Sequence, residues 1–201
     1  MKVSVLKAVA WLVFSLAFLA LLNALYMPAK AVLAQVLLEH AWQKTLDSGL
    51  QHRPWPWADT TTMAKINFPT QQTQFVVLTG STGPSLAFGP GHLHGSRTPT
   101  EAGHMVISGH RDTHFSVLEE LSVGEDIHIT TEEGVTKLYR IATISIVNSQ
   151  NEQLQLNHTQ NQLTLITCYP FDALAAGGPL RLRVDAYLEQ SHSYVSYLND
   201  L

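Results

Sequence analysis

From Ala8 to Met27 the chain runs apolar for twenty residues whose only strongly polar members are Ser15 and Asn23. At ~1.5 Å per residue such a helix is ~30 Å long, the thickness of a bilayer's hydrocarbon core. Lys2 and Lys7 precede it and no acidic residue comes before Glu39, so the basic end is expected to stay in the cytoplasm and the rest to be exported. Ala29-Lys30-Ala31 offers a small-x-small cleavage site, but signal-peptide apolar cores span only ~7 to 15 residues, which favours an uncleaved anchor. Past Pro28, apolar residues at Val32, Leu33, Val36, Leu37 and Ala41 recur at intervals of three and four. That spacing predicts a short juxtamembrane helix running toward Gly49.

In Arg53-Pro54-Trp55-Pro56-Trp57-Ala58-Asp59 each proline lacks a donor and biases its predecessor to extended geometry, so no helix continues through it. A boundary is expected here, with Trp55 and Trp57 docking the linker on the domain rather than binding a partner. Beyond residue 60 the pattern turns to short β-rich runs: Met63 to Phe68, Gln74 to Leu78, His104 to Ile107, Asp126 to Thr131, Lys137 to Val147, Gln162 to Thr167 and Leu180 to Leu188. Turn-rich stretches separate them, among them Thr79 to Gly83, Gly89 to Gly95 and Ala176 to Pro179. About seven or eight strands with little helical periodicity between them predict an all-β barrel or sandwich. The expected organisation is an anchor at 1–28, a juxtamembrane helix and linker at 29–59, a β-barrel at 60–190 and a tail at 191–201.

Composition narrows the function. The 201 residues suit one domain plus an appendage. A net charge of −4 without a Lys/Arg run lacks the basic footprint that nucleic acid requires. Charged residues make up 14% of the chain against a usual ~25%, while the apolar share is ordinary, which excludes a disordered chain. The one cysteine, Cys168, rules out an intramolecular disulfide and a cysteine-rich zinc site.

Cys168 ends the apolar strand Leu163-Thr164-Leu165-Ile166-Thr167 and is followed by Tyr169-Pro170, which must end regular pairing. A lone thiol at a strand mouth in an exported domain is a structural cysteine or a nucleophile. A nucleophile needs a base. His110 follows the strand Met105-Val106-Ile107 and a Ser108-Gly109 turn, again at a strand mouth. His110 and His114 are four apart as in HExxH, but Arg111 stands where that zinc motif has its glutamate and Gly109 disfavours a helix, so no metal is expected. His92, His94 and His104 are expected to be polar loop residues.

Thr164-Leu165-Ile166-Thr167-Cys168 resembles the TLxTC signature of sortases, cysteine transpeptidases that join proteins through a sorting signal. Val106-Ile107-Ser108-Gly109-His110-Arg111 is similar to their histidine segment, and Arg181, thirteen residues past the cysteine, falls where the family has its catalytic arginine. The resemblance spans roughly residues 60 to 188. The Trp-Pro-Trp-Ala-Asp linker and Gly109 to Phe115 resemble the sortase subgroup of marine proteobacteria. The resemblance implies an eight-stranded β-barrel behind a transmembrane helix, with catalytic His110, Cys168 and Arg181 and neither metal nor organic cofactor. Its implied partners are an exported protein bearing a sorting motif, an amine acceptor and the membrane.

The chemistry is consistent with this. Thiolate exchange of an amide passes through a thioester and needs a thiolate, a proton for the leaving amine and a donor for the tetrahedral oxyanion. Arg181 keeps its charge at any relevant pH and its fork suits an oxyanion. Two other readings remain. An L,D-transpeptidase is also an exported β-rich cysteine enzyme, although it carries Ser-His-Gly-Cys where this chain has Thr-Cys-Tyr-Pro. A membrane-anchored binding module without chemistry is the other.

Overall fold

The structure, a computed structural model, describes residues 2–157, 159–173 and 177–189. The expected tail at 191–201, and Ala176 in the last expected turn, lie outside them. One helix, α1, runs unbroken over Lys2–Ser48, so no separate juxtamembrane helix begins after Pro28. Eight strands follow: β1 Thr62–Phe68, β2 Thr73–Thr79, β3 Gly91–His92, β4 His104–Ser108, β5 Asp126–Thr131, β6 Thr136–Asn148, β7 Gln162–Cys168 and β8 Leu180–Leu188. A single helical turn, α2 (Gly83–Leu86), precedes β3, and a 3-10 helix at Ser116–Glu120 follows β4.

The strands close into a barrel in the order β1-β2-β3-β4-β7-β8-β6-β5. Alternation fills it: Leu163 and Leu165 of β7 and Leu182, Val184 and Ala186 of β8 turn inward among Ile66, Phe68, Met105 and Ile107. Side chains one residue out of phase point outward, as the two-residue period requires. Phe115 lies wholly buried in this core. A Cβ on Gly109 would stand 2.7 Å from its ring, so the turn after β4 needs glycine to let Phe115 in.

The later turns of α1 pack on the outside of β1 and β2. Leu38 and Trp42 bury against Val76 and Leu78, while Thr45 and Thr62 share a hydroxyl hydrogen bond of 2.7 Å. Lys65 pairs with Glu39 at 2.8 Å, and Gln35 donates to the Phe88 carbonyl at 2.9 Å. The Trp-Pro-Trp linker behaves differently from expectation in one half: Trp55 packs edge-on to Phe88, with ring centroids 4.9 Å apart, but Trp57 remains 82% exposed.

Candidate active site

β7 ends at Cys168, and β8 returns antiparallel beside it, with Cys168 opposite Arg181. The next pair out is tied by Tyr169 N–H donating to the Leu180 carbonyl at 3.0 Å. Since hydrogen-bonded and non-hydrogen-bonded pairs alternate, Cys168 and Arg181 form the non-hydrogen-bonded kind, with Cα atoms about 4.5 Å apart and side chains on one face. β7 and β8 are thus antiparallel neighbours where Cys168 and Arg181 meet.

On the other side β4 runs parallel to β7, with Ser108 opposite Ile166. Gly109 N–H donates to the Ile166 carbonyl at 3.2 Å, and the Thr167 hydroxyl donates to the Gly109 carbonyl at 2.8 Å. Carrying that register two residues further sets position 110 beside position 168. The chain then turns over: the His110 carbonyl accepts from Phe115 N–H at 3.0 Å, leaving the His110 side chain exposed while Cys168 and Arg181 are half-buried. The three residues singled out in the sequence thus come from three adjacent positions around the barrel wall, at one end of it.

Arg181 rests on its own loop, its Nη1 donating to the carbonyls of Gly178 at 2.5 Å and Leu180 at 2.8 Å. Arg183, on the same face, is engaged elsewhere: its Nε meets Asp185 Oδ2 at 2.9 Å. Buried Asp185 also accepts from Thr164 Oγ1 at 2.6 Å and Gln162 Nε2 at 3.0 Å. His104 joins this line. Its Nδ1 accepts from Asn157 N–H at 3.2 Å, so Nε2 carries the proton and donates to Thr164 Oγ1 at 2.7 Å.

His104 is thus a buried strand residue, not a loop histidine. The same correction applies to His92 on β3, whose Nε2–H donates to the Arg97 carbonyl at 2.9 Å. Burial lowers the His92 pKa against the raising effect of that carbonyl. His94 is exposed in the turn that follows. His114 packs edge-on to Phe75, centroids 5.4 Å apart, and its pKa is lowered first by burial and then by the neighbouring charge of His110. Among the described residues no three His, Cys, Asp or Glu side chains gather closely enough to hold a metal ion.

In the sequence Arg111 stands where a zinc motif would have its glutamate and closes the segment similar to the sortase histidine segment, without a role of its own. In the structure its guanidinium reaches across to the segment after Cys168, donating to the carbonyls of Pro170 and Ala173 at 2.7 Å each. It binds the histidine turn to the cysteine turn. Its place directly after His110 was the one available hint, and carbonyl partners leave no trace in a sequence.

Residues 66–189, more than half of the chain, match the Sortase domain family model. Over 107 residues the chain is 33% identical to "Sortase D" of Bacillus subtilis (strain 168), a match covering 53% of this chain and 54% of that protein. It therefore spans about half the length of this curated relative. Among solved structures, Sortase A from Corynebacterium diphtheriae superposes with a TM-score of 0.59 at 31% identity, over 69% of this chain and 65% of that one. The Clostridium perfringens Sortase D5 transpeptidase gives 0.57 at 27% identity, over 76% and 89%.

Proposed function

The chain belongs to the sortase family, whose domain model its residues 66–189 match, and on that premise we propose that it is a membrane-anchored cysteine transpeptidase. It cleaves a sorting motif in an exported protein, holds the acyl part as a thioester on Cys168 and passes it to an amine. The cross-strand pairing of Cys168 with Arg181 is the observation that carries this reading, because it brings a permanent cation to the face that bears the thiol.

Each step has a group to serve it. The Cys168 thiolate attacks the scissile carbonyl, and the Arg181 guanidinium moves from its loop carbonyls to the developing oxyanion. The tetrahedral intermediate collapses as protonated His110 gives its proton to the leaving amine. The acceptor amine then enters, His110 takes its proton, and the thioester is exchanged for an amide. Thr167 and Arg111 hold the two reacting turns together through backbone carbonyls, which limits the misplacement of His110 relative to Cys168. The N-terminal helix is long and apolar enough to cross a membrane, and in this reading it keeps the barrel on the extracytoplasmic side.

The test is Cys168→Ala in the full chain, with circular dichroism and capture of acyl adducts by mass spectrometry after incubation with the cell's exported proteins. Wild type is expected to carry an adduct on Cys168, and the variant to fold unchanged without one. Cleavage by the variant near the wild-type rate would reject Cys168 as the nucleophile, whereas wild type without cleavage or adduct would leave the binding-module reading standing.

A further inference from the structure

The apolar surface of α1 continues past the expected end of its membrane span. Large exposed apolar side chains run from Val9 to Tyr26 and resume at Val32, Leu33 and Val36, which are 65%, 58% and 60% exposed. In these same turns the helix is already attached to the barrel through Gln35 and the buried Ala34 and Leu38. At ~3.6 residues per turn, Val32, Leu33 and Val36 lie on the helix face opposite Ala34 and Leu38, where they border the hollows between helix and barrel and keep most of their surface exposed. From Val9 to Val36 the helix is about 42 Å long. A hydrocarbon core is only ~30 Å thick, but the bilayer with its headgroup layers measures ~40 to 45 Å. The exposed apolar length thus corresponds to a whole bilayer, and its last two turns fall in a headgroup layer.

The barrel is fixed to those last turns. A hollow of about 400 Å³ is bordered by Lys30, Leu33, Trp55, Trp57 and Phe88. A second, of about 610 Å³, lies between Ala31, Val36, Phe88, Thr113 and His114. Trp57 therefore stands level with Lys30 and Leu33, about 5 to 9 Å beyond Met27 along the helix. That is the depth at which tryptophan concentrates in membranes, its ring against the acyl boundary and its N–H in the polar layer. An 82% exposed tryptophan has a reason to be there if lipid covers it, and Lys30 can extend its ammonium to the same layer.

We propose that the barrel rests on the bilayer through Trp57, the outward face of Val32, Leu33 and Val36, and the Thr113-His114 turn, with lipid headgroups as the partner. The turn that begins at His110 then opens at the membrane surface rather than above it. A substrate tethered in the same bilayer reaches Cys168 by lateral diffusion. This rests on the reading of α1 as a membrane anchor, and the experiment separates the two.

Full-length chain carrying Cys168→Ala is reconstituted into phosphatidylcholine/phosphatidylglycerol vesicles with one nitroxide-labelled cysteine at a time, replacing Leu16, Val36, Trp57 or Val135. Val135 is the exposed control. It follows Thr131, the strand partner of Ala64, near the level at which Thr62 meets Thr45, about 27 Å above Met27. Collision with oxygen and with a water-soluble nickel chelate is read by electron paramagnetic resonance. Labels at Leu16, Val36 and Trp57 are expected to be several-fold less accessible to nickel than the label at Val135. If Leu16 is protected but Val36 and Trp57 are as accessible as Val135, the anchor stands and the docking is overturned. Nickel access at Leu16 itself would overturn the anchor and the docking together.

Discussion

Arg181 and Arg183 share a face of β8, yet their surroundings give them different work. Arg183 is held by the buried carboxylate of Asp185, two residues and about 6 to 7 Å along the strand from the position opposite Cys168. A charge-assisted hydrogen bond requires ~2.7 to 2.9 Å, so in the proposed mechanism the donor to the oxyanion is Arg181, opposite Cys168, while Arg183 stays on Asp185. Arg181→Ala is expected to lower single-turnover acylation of Cys168 by about a hundredfold or more, the scale of losing an oxyanion donor. Arg183→Ala is expected to keep acylation near wild type while lowering the melting temperature, because it leaves Asp185 without its cation. A damaged acylation rate in Arg183→Ala alone would reverse the assignment. The two histidines divide in a similar way. His110→Ala is expected to remove turnover, whereas His114→Ala, which trims a ring packed on Phe75, should spare most of it and a chelator should change nothing. Activity lost to a chelator and restored by zinc would instead assign His110 and His114 to a metal.

Among the elements, α1 combines two surroundings in one helix. From Val9 to Tyr26 it presents exposed apolar side chains, and its later turns carry a face that the barrel buries, with Trp42 only 1% exposed. Trp42→Ala is expected to destabilise the folded barrel by about 3 to 5 kcal/mol, the range for removing a fully buried large aromatic. Chemical denaturation followed by far-ultraviolet circular dichroism would measure it. An effect below about 1 kcal/mol would mean that the helix is tethered to the barrel without supporting it. The sequence spacing of Val32, Leu33, Val36, Leu37 and Ala41 predicted a helix there, but of these residues only Ala41 is fully buried. The barrel takes Ala34, Leu38, Ala41 and Trp42, with Leu38 and Trp42 packed on Val76 and Leu78 of β2. The long strands were legible to within a residue or two, since alternation and β-branched content coincide with burial in β1, β5, β7 and β8. β3 was not legible: two residues, Gly91 and His92, carry no period, and their pairing partners on β2 and β4 are far away in sequence. That His110, Cys168 and Arg181 lie near one another at one end of the barrel could be read from motif and strand-end position. The carbonyl clamp of Arg111 and the line from His104 to Asp185 could not, because both depend on which strands become neighbours.

For the molecule as a whole, buried histidines set a direction for the pH dependence of stability. His92 lies in the barrel wall and donates from Nε2 to the Arg97 carbonyl, and its burial holds the pKa below the ordinary 6.5. His114 is lowered as well, first by burial and then by the charge of His110. In the unfolded chain both rings regain an ordinary value, so as pH falls the unfolded state takes up these protons first. Their contribution is fully present above about pH 6.5, and it is lost progressively as pH falls below 6.5 toward the lower folded values. The melting temperature of the full chain in detergent is therefore expected to be level from pH 8 to 7 and to decline between 6.5 and 5. His92→Gln keeps a donor for the Arg97 carbonyl but removes the titrating ring, so it should shallow that decline even if it lowers the melting temperature at every pH. A decline of the same steepness in His92→Gln and wild type would show that the protons responsible are bound elsewhere in the molecule.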